Sequence, residues 1–203
     1  MNIIYILTSL ALIISYLLLN KSEKKENLIH SVIISVILFL TYNIFITQVM
    51  FFVHLKSTLL NLAIVNIAFS AVFITKEIKT KTIQKYYINK LDIIAVIIIL
   101  GLAITIVIMN YGTNIAVKHA VTDAATHYFA SDDFYRYSTL FSRESSDTIK
   151  WLNTPYLMTG AYVNTGIFLK LFKGIIDETF FVKLYFSILF LLFSSSSFFK
   201  LFS

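Results

Sequence analysis

Residues 93–109 read IIAVIIILGLAITIVIM, an unbroken apolar run with no charged side chain. A helix of roughly 20 mainly apolar residues crosses the hydrocarbon core of a bilayer, so this stretch reads as a membrane span. The rest of the chain agrees. Over 203 residues, 58% are hydrophobic and only 14% are charged, and the mean hydropathy is +0.79. A water-soluble fold of this size needs far more polar surface than that. The aromatic share is 16%, with 19 Phe and 12 Tyr, which suits lipid-facing helices with interfacial anchors. There is no Cys, which removes disulfides, thiolate nucleophiles and Cys-based metal sites.

Working outward from 93–109, the apolar pattern predicts five further spans. Ile3–Leu19 is the first. Its lysines follow the apolar run, at Lys21, Lys24 and Lys25, with no small-residue cleavage pattern, so it reads as a retained helix rather than a signal peptide. Leu28–Val53 and Leu59–Ile74 are joined by so short a link that they form an antiparallel hairpin. Tyr156–Ile176 is weaker, interrupted by Gly160, Asn164, Gly166 and Lys170, and Phe180–Phe199 is the last. The expected fold class is all-α: a polytopic bundle of about six spans, with four in residues 1–110, a loop at 111–155 and two in 156–203.

Cytoplasmic loops carry the Lys/Arg excess. The loop after the first span holds three Lys, and the third-to-fourth connection holds Lys76, Lys79, Lys81, Lys85 and Lys90. The hairpin link has only Lys56. This alternation predicts an extracytoplasmic N-terminus in a multi-pass cell-membrane protein, with segment 111–155 also outside. That segment nets −1 in a chain of +6. The remaining positive charge follows from topology and attraction to anionic lipid heads. No basic domain supports nucleic-acid binding.

Among the few polar residues of the second and third spans, Asn61 and Asn66 read as interhelical hydrogen-bond partners. No Asp, Glu or Arg lies at mid-depth in the first four spans, which counts against an ion-coupled transporter.

Any chemistry therefore falls to the long loop. From Lys118 it reads KHAVTDAATHYFASDDFYRYSTLFSRESSD, without Gly or Pro, and predicts an amphipathic helix along the membrane surface. His119, Asp123 and His127 share a helix face at spacings of four. All three cannot hold one ion from a straight helix, because the outer two stand about 12 Å apart along its axis. No cofactor or metal is expected. A carboxylate at Asp123 fits a general base acting on a sugar hydroxyl, with His127 orienting it or sharing its proton. Arg136 and Arg143 are the only two Arg in the chain, and guanidinium groups match phosphate oxygens bidentately. Arg136, Arg143, Asp132 and Asp133 are the candidate substrate-binding residues. The plainer reading pairs Arg136 with Asp132 or Asp133, and Arg143 with Glu144 or Asp147; such surface pairs contribute little.

TDAATHYFAS after an apolar span, followed by NTPYLMTGAYVNTGIFLKLF, resembles bacterial multi-span glycosyltransferases of the GT-C type over Thr122–Phe172. The resemblance implies sugar transfer from a polyprenyl-phosphate donor in cell-envelope polysaccharide synthesis, with Asp123 as the loop carboxylate. With fewer spans than members usually carry, it also implies a partial or truncated one. The alternative is a non-enzymatic membrane component: a subunit, a scaffold or a transporter fragment. The bilayer is the partner common to both.

Overall fold

The computed structural model describes residues 2–19, 25–80, 84–111, 134–138 and 159–172. They are mostly helical: α1 (Asn2–Leu19), α2 (Leu28–Phe52), α3 (Leu59–Thr80), α4 (Lys90–Tyr111) and α5 (Thr159–Phe172). Two-residue strands β1 (Glu26–Asn27) and β2 (Tyr86–Tyr87) pair in parallel. One helical turn lies at 134–137.

Local chemistry sets the helix ends. Asn27 caps α2, its side-chain oxygen accepting from the amides of Ile29 at 3.0 Å and His30 at 3.4 Å, and so satisfies donors that the first turn leaves open. Thr58 does the same for α3 through the amide of Asn61, at 3.2 Å. At the end of α2, His54 adopts a left-handed backbone with φ 59°. The amide of Leu55 then reaches Met50 O at 2.8 Å and that of His54 reaches Phe51 O at 3.1 Å. This reversal satisfies open carbonyls and turns the chain into the hairpin.

α1 and α3 run parallel. Ser9 meets Asn66, and seven residues further along each helix Tyr16 meets Phe73 with ring centroids 5.5 Å apart. α2 runs against both, and α5 packs on α2. The shared core includes Tyr5, Leu12, Phe39, Ile46, Leu62, Val163 and Ile167. Among the described residues α4 packs extensively against no other helix. Most of its described apolar side chains point outward, from Leu91 at 70% exposure to Met109 at 80%, with Ala103 buried.

Two helical stretches, Leu28–Phe52 and Leu59–Lys76, are long and apolar enough to cross a membrane by length and composition; Asn2–Leu18 and Val163–Phe172 are shorter apolar helices. These features suggest membrane association. Phe180–Phe199 lies outside the described residues.

The bundle has two distinct ends. At the basic end α1 and α3 stop and α2 and α4 begin. At the link end, residues 53–58 connect α2 to α3.

Candidate functional site

The interior holds a chain of polar side chains at mid-depth. The Tyr5 hydroxyl donates to Asn43 Oδ1 at 3.4 Å, Asn43 Nδ2 donates to Asn164 Oδ1 at 3.2 Å, and Asn164 Nδ2 donates to Leu40 O at 3.0 Å. On the other side, Asn66 Nδ2 donates to Ser9 Oγ at 3.2 Å. One path thus joins α1, α2 and α5, and a separate bond joins α3 to α1. Asn43 is 1% exposed and Asn66 0%, so these amides are placed where an unpaired polar group would be costly. Among the described residues, four atoms in the same interior, Tyr42 OH, Thr47 Oγ1, Asn66 Oδ1 and Ser70 Oγ, have no partner. The expectation for Asn66 is met by the Ser9 bond. Asn61 differs: it donates to Lys56 O at 2.7 Å. It lies in the first turn of α3, next to the link, and reaches that backbone rather than a neighbouring helix.

At the link end, the 134–137 turn is seated by Phe134, which is buried. The Ser57 amide donates to Ser138 O at 2.7 Å. Lys170 Nζ donates to Ser138 Oγ at 2.6 Å and stands 4.8 Å from the centre of the Phe134 ring, a cation–π arrangement. Asn2 Nδ2 donates to Leu171 O at 3.1 Å. Four segments distant in sequence therefore meet here: the starts of α1 and α3, the loop turn and the end of α5. Ser138 completes the turn in a left-handed conformation, φ 57°.

At the basic end, Asn27 has a second role, donating from Nδ2 to the Asp92 carboxylate. Asp92 lies in the first turn of α4, where a negative charge complements the helix dipole. The Tyr86 hydroxyl donates to Leu17 O at 2.6 Å, and Ser31 Oγ donates to Glu26 at 3.3 Å. Burial, and then the nearby Glu26 carboxylate, push the Tyr86 phenol above its ordinary pKa.

Of the candidate site residues, Arg136 is described: it is exposed on the 134–137 turn. Asp123, His127, Asp132, Asp133 and Arg143 lie outside the described residues, as does His119. Among the described residues no group of three or more His, Cys, Asp or Glu could hold a metal ion. Sequence reasoning missed the pairing of Asn43 with Asn164 and the seat of Lys170 on Phe134 and Ser138. The only signal for either was that a polar residue interrupts an apolar run. No family model, curated protein or solved structure matches this chain.

Proposed function

We propose that this chain is a multi-pass integral membrane protein with α1, α2, α3 and α4 as crossings, the link end extracytoplasmic and the basic end cytoplasmic. The observation that carries this reading is polarity turned inside out. Asn43, Thr47, Asn66, Asn164 and Thr165 are buried, while Ile3, Leu7, Phe45, Ile64, Val72 and Ile97 face outward. In water that arrangement exposes apolar surface on several faces and buries amides. In lipid it is the favoured one, because polar side chains join helices and apolar ones meet the acyl chains. The exposed lysines Lys25, Lys76, Lys85 and Lys90 gather at the basic end, which supports the orientation. Extraction tests the embedding: the protein should stay in the membrane pellet through alkaline carbonate and leave it only with detergent. Release by carbonate alone would refute it.

The activity we assign is sugar transfer from a polyprenyl-phosphate donor. Asp123 takes the proton of the acceptor hydroxyl, and that oxygen attacks the anomeric carbon. The bond from that carbon to the phosphate oxygen breaks, and the lipid phosphate leaves with the electron pair. His127 orients the carboxylate, Arg136 and Arg143 hold the phosphate, and Asp132 and Asp133 complete the substrate-binding set. The reading draws support from the loop turn anchored at the link end, which carries Arg136 there. Asp123→Asn should abolish transfer at unchanged expression. Transfer at the parent rate would remove Asp123 as the base, and no transfer by the parent protein would leave the loop a packing element in a non-enzymatic component.

A further inference from the structure

The polarity of α5 bears on how often the chain crosses the bilayer. Asn164 is bonded to Asn43 and to Leu40 O, and Leu40 lies about 18 Å along the axis of an α2 that is about 37 Å long. Asn164 is thus at mid-depth. Eight residues later, about 12 Å along the helix, the end of α5 is at the link end. There Asn2 bonds Leu171 O and Lys170 bonds Ser138. Ser138 is itself tied to Ser57, in the link. α5 therefore runs parallel to α2, and its 14 residues extend about 21 Å, short of the hydrocarbon thickness of about 30 Å.

Ser138 and Phe172 consequently stand at the same end of the bundle, with Asn164 between them at mid-depth. We infer that α5 is not a full crossing and that the chain makes no net crossing between Ser138 and Phe172, both of which stand at the face from which the 53–58 link emerges. The end points alone decide this, and the inference rests on the membrane reading above. Its physical support is the cover over the inserted helix. Non-helical backbone and helix ends are tolerated at membrane depth only where protein covers them or water reaches them. Val163, Asn164, Thr165, Ile167 and Leu169 of α5 are all buried, and the two Asn164 bonds hold it to α2. A consequence follows for the remainder of the chain. Whatever comes after Phe172 starts from the link-end face, one crossing out of phase with a bundle in which 156–176 spans fully.

The absence of cysteine makes single-cysteine labelling unambiguous. In right-side-out vesicles, full-length Lys56→Cys and Lys85→Cys variants report the two faces, and Lys173→Cys and Asp177→Cys report the exit of α5. A membrane-impermeant maleimide should block Lys56→Cys together with at least one of the two exit positions, and spare Lys85→Cys until the membrane is opened. The inference is overturned if both exit positions stay unblocked in sealed vesicles while Lys56→Cys is blocked. The membrane reading itself fails if Lys56→Cys and Lys85→Cys are blocked together in sealed vesicles, so the two failures are distinguishable.

Discussion

α4 and α2 make an instructive pair. Both are long and apolar, and 93–109 is the cleaner hydrophobic run. Yet among the described residues α2 packs on α1 and α5, while α4 packs extensively against no other helix. The difference lies in their polar content. α2 carries Ser31, Ser35, Asn43 and Thr47, all buried, whereas between Asp92 and Gly101 α4 offers only Ile, Ala, Val and Leu. Water would drive both helices into a core. In lipid the acyl chains are as apolar as the side chains, and association comes from close packing and interhelical hydrogen bonds. Among the described residues, the cleaner apolar run therefore has the fewest bonds to its neighbours.

The contrast can be broken first at the root of α4. Asn27→Ala removes the cap of α2 and the partner of the buried Asp92 carboxylate together. A cap is worth about 1 kcal/mol, and a hydrogen bond to a charged group about 1.5–3 kcal/mol. The combined loss should be about 2.5–4 kcal/mol in an unfolding titration in mixed micelles. A loss confined to the cap value would mean that Asp92 finds another partner.

Asn43→Leu tests the packing of α2. It leaves the Tyr5 hydroxyl and the Asn164 carbonyl without their partner and should lower stability by about 1–2 kcal/mol, the upper range for interhelical bonds in membranes. A double-mutant cycle with Asn164→Leu should show coupling between the two positions. Strict additivity would separate them.

Tyr86→Phe should cost about 0.5–1.5 kcal/mol, the net worth of one neutral hydrogen bond. Its pH dependence has a definite sign. The folded-state pKa of Tyr86 is raised, so the phenol's contribution is fully present below the unfolded value of about 10. It is lost as pH rises through the higher folded value. The gap between parent and variant should therefore be flat through neutral pH and close only in strong alkali.

The smallest effect belongs to the outward face of α4. Ile97→Ala, at a side chain 63% exposed, should shift stability by less than about 0.5 kcal/mol in micelles, as substitutions away from packed features do. A large loss there would show that α4 is gripped by more than its root.

Much of the helical architecture was legible in the sequence. The expected spans 3–19, 28–53, 59–74 and 93–109 correspond to α1 through α4, because a long apolar run has few alternatives to a helix. The hairpin followed from a link too short for anything else. The candidate transfer residues were chosen for their chemistry, and of them the structure describes only Arg136. Less legible was the role of each polar interruption. Asn61 and Asn66 look alike in the sequence, yet one serves the link backbone and the other reaches across to α1.

Composition and periodicity by themselves pointed to the helices seen in the described residues and to membrane association, since both are read from the residues along the chain. Tertiary structure alone decided that Tyr5, Asn43 and Asn164 form one path, that Asn27 serves two helices, and that α5 ends where the loop turn begins. Those facts depend on contacts between segments up to 169 residues apart, such as Asn2 with Leu171. The direction of a helix within a bundle is set by such contacts and leaves no trace in its own hydrophobic pattern.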